Sequence, residues 1–105
     1  MLFRSNQANI ARLLRLFLEN ARQTMDAIDA AHERGDLIEI ARLGHRLKSS
    51  AGTVGAAQLA EACARLEDAG KRGDAAAVQA LLEPLAGAMT RAEAAIDAKL
   101  SAAAT

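Results

Sequence analysis

The sequence predicts an all-α fold, an antiparallel up-down-up-down four-helix bundle, and three observations lead to this prediction. Residues that favour strands are scarce, with two Val in 105 residues, whereas the helix formers Ala, Leu, Glu, Arg and Lys are abundant. Four stretches carry apolar residues at steps of three and four, which is typical of amphipathic helices. The connections between these stretches are short, which favours antiparallel neighbours. We expect a single domain over residues 1–105.

The first helix is predicted over Gln7–Arg34, and Gly35 follows it as a C-terminal stop. Its apolar positions form one stripe along the helix. The residues of this stripe, which we expect in the core, are Ile10, Leu14, Phe17, Ala21, Met25, Ile28 and Ala31. Leu13 and Leu16 widen the apolar surface, and a core role is favoured over a partner contact for both.

The second helix is predicted over Leu37–Ala51, with Asp36 as its N-cap and Glu39 three residues later in the pattern of a capping box. Gly52 and Gly55 predict a tight turn after it. The residues expected to face inward are Leu37, Ile40, Leu43, Gly44, Leu47 and Ala51.

The third and fourth helices complete the bundle. The third is predicted over Ala56–Lys71. The fourth follows Asp74, its expected N-cap. Pro84 lies inside the fourth helix, where it removes one backbone hydrogen bond, so a kink is predicted there.

His45 is the residue that directs attention to function. Successive residues of a helix advance by 100°, which puts His45 roughly 130° from the centre of the apolar arc of its helix, on the solvent side. Ile38, Ala41, Ser49 and Gly52 lie one or two turns away on the same face. Histidine is among the side chains that form covalent intermediates. An exposed imidazole with small neighbours is accessible to a bulky partner.

Composition excludes several classes of function. Thirteen basic and thirteen acidic residues give a formal net charge of zero, without the basic excess of a nucleic-acid-binding protein. No stretch is long and apolar enough for a transmembrane helix, so no direct membrane insertion is expected. The single cysteine, Cys63, allows no intrachain disulfide, which fits a cytoplasmic setting.

The run from His45 to Ala56 reads HRLKSSAGTVGA and resembles the signature of the histidine-containing phosphotransfer (HPt) domain family. The family pattern has His, any residue, Leu, Lys and small residues, then a short turn and Gly-Ala. The resemblance extends from Gly44 to Glu67. Ser49 departs from the pattern because glycine is commonest at that position, although serine is also small.

This resemblance implies roles for particular residues. His45 would accept a phosphoryl group on Nε2, and Lys48 would lie near that group and offset its charge. Glu67 matches a position whose side chain can reach the histidine Nδ1, which would leave Nε2 free to attack. Ser49 and Gly52 would leave room for the helix of a partner.

The resemblance also implies partners. These would be receiver domains of response regulators or hybrid histidine kinases. The chain would relay phosphoryl groups between the aspartates of these receivers in two-component signalling. Ile38 and Ala41 would make apolar contacts with the receiver, with Arg42 and Arg46 at the rim. The chain would be a phosphoryl carrier without kinase activity. It would need no cofactor of its own, because the receiver would supply Mg²⁺. We expect a monomer.

Three alternatives remain open from the sequence. The chain could be the phospho-accepting domain of a chemotaxis-type histidine kinase, since Glu67 suits that class as well. It could be a structural bundle without phosphorylation. A metal or haem bundle is disfavoured: Asp29 and His32 have a spacing seen in di-iron bundles, but the further carboxylates and second copy are missing. We predict no metal site.

Overall fold

A computed structural model describes residues 2–104 of the chain and the side chains of residues 6–102. Within residues 2–104 the chain forms four α-helices and no strand: α1 Leu2–Arg34, α2 Leu37–Thr53, α3 Ala57–Lys71 and α4 Ala75–Ala104. The predicted helical bundle is confirmed. The terminal residues of the predicted domain, Met1 and Thr105, lie outside the described residues.

The turn between α2 and α3 comes later than predicted. Gly52 is still helical, because α2 continues to Thr53. The chain reverses at Gly55, whose φ is +79°. A left-handed backbone conformation carries little steric cost for glycine, so this residue permits the tight connection.

Both predicted N-caps are present. An Asp36 carboxylate oxygen accepts from the Glu39 backbone N–H at 3.1 Å, and Asp74 accepts from the Ala77 N–H at 3.0 Å. These contacts satisfy donors that the start of a helix leaves free. The Glu39 side chain does not return to the cap as in a capping box. It binds the Arg42 guanidinium instead, at 2.7 Å.

Three contacts between helices bear on the order of the bundle. The backbone of α2 approaches α3 at Gly44, opposite Glu67, and α3 approaches α2 at Gly70, opposite Leu37. Arg22 of α1 forms a 2.9 Å ion pair with Glu93 of α4. These pairings are compatible with the predicted up-down-up-down order.

The core runs along the centre of the bundle and contains most of the predicted inward positions. Met25 is half-buried and packs against it. The largest fully buried side chains are Ile28, Ile40, Leu47, Leu59, Leu66, Leu85, Val78 and Cys63.

The predicted burial of Ile10, Leu13 and Leu16 is wrong. Their exposed fractions are 56%, 47% and 50%. The physical reason is helix length: α1 has 33 residues and α2 has 17. Because a two-residue connection joins the end of α1 to the start of α2, the shorter helix cannot extend along the first half of α1.

Helix α4 continues through Pro84 to Ala104. The kink at Pro84 stays a prediction. Over the part of the chain that the structure describes, no helix combines the length and the apolar character that a bilayer crossing requires.

Candidate functional site

The site lies beside a close approach of α2 to α3 at Gly44. A Cβ added at Gly44 would lie 3.3 Å from the Cys63 carbonyl oxygen and 3.4 Å from the Glu67 backbone nitrogen. Because glycine has no Cβ, Gly44 lets the backbones of α2 and α3 come together. This approach brings the Glu67 side chain beside His45, the residue that follows Gly44.

The Glu67 carboxylate is surrounded by three side chains, which together with it form what we call the Glu67 cluster: His45, Lys48, Glu67 and Lys71. His45 Nδ1 lies 3.0 Å from Glu67 Oε2. Lys48 Nζ donates to Oε1 at 2.8 Å, and Lys71 Nζ lies 3.0 Å from Oε2. The Glu67 side chain is only 7% exposed, whereas that of His45 is 59% exposed. A nearly buried carboxylate thus underlies an accessible imidazole.

Hydrogen bonds keep this carboxylate ionised. Lys48 first, then Lys71 and His45, lower the pKa of Glu67 to about 2, against the desolvation that raises it. An ionised carboxylate can only accept hydrogen bonds. His45 must therefore donate through Nδ1–H, which in the neutral ring leaves the lone pair of Nε2 free.

The surroundings of His45 on α2 are open. Ser49 and Gly52, in the following turns, are both exposed, and a Cβ at Gly52 would meet no atom within 4 Å. In the preceding turns Ile38 is 82% exposed, a large apolar side chain in solvent. An open, partly apolar strip of α2, formed by Ile38, Ser49 and Gly52, therefore flanks the imidazole.

Ala41 does not belong to this strip, and its predicted partner contact is wrong. It is 6% exposed, and a Cβ on Gly70 would lie 3.0 Å from its own Cβ. Ala41 lies on the side of α2 that packs against α3. The two arginines of the predicted rim, Arg42 and Arg46, are both exposed, and Arg42 is held by Glu39.

Lys71 is a member of the cluster that the sequence analysis did not identify. Its position four residues after Glu67 was the available signal, since side chains at this spacing meet on a helix surface. The other residues considered lie elsewhere. His32 is on α1, and Cys63 is buried in the core, where desolvation raises the pKa of its thiol to about 12.

The side chains of residues 6–102 include no group of three or more His, Cys, Asp and Glu arranged to hold a metal ion. The chemistry available within the described site is that of one nucleophilic imidazole, a carboxylate that fixes its tautomer and two ammonium groups.

Comparison with models of known protein families identifies a family for the chain. The model of the Hpt domain family matches residues 12–103 of the chain, a range that includes the whole Glu67 cluster. Neither the curated proteins nor the solved structures gave a match.

Proposed function

Because the chain belongs to the Hpt domain family, whose members are phosphocarrier modules of two-component signalling, we propose that it relays phosphoryl groups between receiver domains through His45. The observation that carries this proposal is the 3.0 Å contact between His45 Nδ1 and the buried Glu67 carboxylate. It leaves the second ring nitrogen, Nε2, as a free nucleophile on an exposed side chain.

In the proposed step, a receiver carrying a phospho-aspartate docks over His45. The Nε2 lone pair forms a bond to phosphorus in line with the breaking P–O bond, whose electron pair leaves with the aspartate carboxylate. The ring keeps its Nδ1 proton and gains positive charge, which the Glu67 carboxylate offsets. The reverse sequence passes the group to the aspartate of a second receiver.

Positioning and charge account for most of the catalysis of phosphoryl transfer. The position of Lys48 supports a role in stabilising the phosphoryl group. Its ammonium group lies at the Glu67 cluster, one turn from His45, and its side chain is 37% exposed. From there it offsets the negative charge of the phosphoryl group on Nε2. We assign Mg²⁺ and the acidic pocket to the receiver, so that this chain acts as a carrier without kinase activity.

We propose that the receiver contacts the open strip around the imidazole. Ile38 supplies the apolar contact, Ser49 and Gly52 leave room for the partner's helix, and Arg42 and Arg46 lie at the rim. All five are exposed. Such a surface suits a transient complex at the small end of the interface range, formed by a monomer.

The experiment that tests the function is phosphoryl transfer from a phosphorylated receiver with Mg²⁺. Wild type, His45→Gln and His32→Gln are compared, His32 being the one other histidine. We expect an acid-labile, base-stable label on wild type and His32→Gln, and none on His45→Gln. A label that persists in His45→Gln would contradict the proposal.

The identity of the phosphodonor distinguishes a relay between receivers from the substrate domain of a kinase. The Glu67–His45 contact also suits a substrate domain of a chemotaxis-type kinase, so ATP with such a kinase core is the second donor to test. Labelling of His45 by that core, with none from several receivers, would replace the receiver-to-receiver relay by the kinase alternative. No labelling from either donor would favour a structural bundle.

A further inference from the structure

One part of the bundle has four helices, and the other part has two. Helix α1 has 33 residues and α2 has 17, while α4 has 30 and α3 has 15. The long axis of the molecule, 51 Å, equals the length of α1 alone, about 50 Å. Because the connections are short, α1 and α4 continue together for about 22 Å beyond the α2–α3 turn. We call these residues, 2–16 of α1 and 90–104 of α4, the two-helix segment.

The α1 part of the two-helix segment carries an uncovered apolar face. Ile10, Leu13 and Phe17 follow the helical spacing of three and four, so they share one face of α1. Phe17 is buried in the core, whereas Ile10 and Leu13 are exposed. The apolar stripe that is buried from Phe17 onward therefore continues into solvent in this segment.

A groove of about 200 Å³ lies where the two-helix segment leaves the α2–α3 turn. Val54 and Ala56 of the turn line one side of it, and Ala92, Ala95 and Ile96 of α4 line the other. Two cations also line the groove, but both are exposed, and their long side chains can extend to solvent. Small apolar side chains around an open groove let another helix approach closely.

We propose that the two-helix segment is a dimer interface, and that it is covered by the same segment of a second copy of this chain. Two such segments, antiparallel and related by a two-fold axis, complete a four-helix bundle. In that bundle, each segment takes the place that α2 and α3 occupy in the other part of the molecule. The proposal goes beyond the function proposed for His45 and does not depend on it.

The absence of charge on the uncovered face of α1 favours a second copy as its occupant. A two-fold contact sets this face against itself, so any charge on it would meet the same charge or be buried. The described residues within the arc of about 120° around this face are uncharged. They are Asn6, Asn9, Ile10, Leu13 and Leu16. Arg12 and Arg15 fall outside the arc.

The size of the two-helix segment predicts a weak dimer. The segment is about 22 Å long and about as wide as the short axis of the molecule, 20 Å, so each copy contributes roughly 440 Å². A standard stable interface buries about 800 Å² of each partner, so we expect a dissociation constant on the order of 100 µM. At low micromolar concentration the chain is then the monomer proposed above. The His45 strip on α2 lies outside the two-helix segment and stays open in both forms.

Sedimentation equilibrium tests the proposal, with the chain at about 5 µM to about 1 mM, on either side of that constant. We expect the mass to rise from the 11.0 kDa of one chain toward twice that value. Ala95→Glu puts a charge in the groove, and its matched control is Ala94→Glu, one residue away on the outer face of α4. Leu13→Glu is matched by Gln23→Glu, which adds a charge to the part of α1 beside α2.

Ala95→Glu and Leu13→Glu should each weaken association at least about tenfold, whereas the two controls should associate as the wild type does. All four positions are exposed, so circular dichroism should show an unchanged fold. His45→Gln should also associate normally, which separates this proposal from the fate of the phosphotransfer proposal.

Two results would overturn the inference. One is a wild-type mass of a single chain at the highest concentration, which would leave the uncovered face to a different partner. The other is undiminished association of both Ala95→Glu and Leu13→Glu, which would place the contact between copies elsewhere on the molecule.

Discussion

Replacing Gly70 with alanine should destabilise the chain, although alanine is the better helix former. Gly70 lies near the end of α3, where the helix meets the start of α2. A Cβ at this position would lie 2.8 Å from the Leu37 carbonyl oxygen and 3.0 Å from the Ala41 Cβ. Both contacts are with atoms that cannot rotate away, so the two helices must separate by several tenths of an ångström.

The magnitude follows from two opposing effects. Overpacking of a tight contact costs about 1–3 kcal/mol, and a backbone neighbour favours the upper part of this range. Replacing a helical glycine contributes at most about 1 kcal/mol in the other direction, because Gly70 is close to the end of its helix. The net expectation is a loss of about 1–2 kcal/mol in the free energy of unfolding.

Urea unfolding followed by circular dichroism measures this loss directly. The control is Gly87→Ala in α4, where the one neighbour of an added Cβ within 4 Å is the flexible end of Arg91, at 3.3 Å. This variant should gain about 0.5–1 kcal/mol. A Gly70→Ala protein as stable as Gly87→Ala, with an unchanged dependence on urea, would refute the argument that close packing fixes the distance between α2 and α3.

Three further predictions concern the surface, the cluster and the core. Ile38→Glu should raise the receiver concentration needed for half-maximal transfer about fivefold, as loss of about 1 kcal/mol implies. Because Ile38 is 82% exposed, stability should not change, and Ala98→Glu on the exposed face of α4 should alter neither quantity. The pKa of Glu67 falls from 4.5 to about 2 on folding, so its ionised form stabilises the fold above about pH 4.5, and this contribution is lost as the pH falls toward 2. Glu67→Gln should therefore show a shallower acid dependence of unfolding free energy in that interval, and an unchanged slope would contradict the assignment. Cys63 is fully buried, and desolvation raises the pKa of its thiol to about 12. It should react with iodoacetamide only in denaturant, and stoichiometric labelling of the folded chain would show that the core opens.

The sequence predicted the helices well because their apolar spacing, caps and glycines are local signals. The predictions of burial were wrong where burial depends on whether a neighbouring helix covers the residue. Ile10 follows the same spacing as Phe17, but α2 ends before it can cover Ile10. Ala41 lies on the His45 side of a single helical wheel, yet the absence of a side chain at Gly70 lets α3 cover it. The sequence pattern of one helix shows neither how far a neighbouring helix extends along it nor how closely the two helices approach.

Some residues of the site could be predicted from the sequence and others could not. The motif around His45 led to the family, and that recognition is confirmed by the match to the family model. The roles assigned to His45, Lys48 and Glu67 remain predictions, although the structure brings the three side chains together. Lys71 was missed because an i,i+4 Glu–Lys pair is common on helix surfaces. Only the burial of Glu67, which depends on packing against α2, distinguishes this pair from ordinary surface pairs.

The placement of the imidazole on one convex helix face limits how many partners can be served at once. A transient interface covers about 600 Å² of each protein, roughly a tenth of the 6526 Å² surface of this chain. In the relay that we propose, any receiver that reaches His45 would cover the same strip, so donor and acceptor would not be bound together. Such a relay would be a ping-pong exchange, in which a surplus of idle acceptor slows charging of the carrier by occupying the proposed docking position.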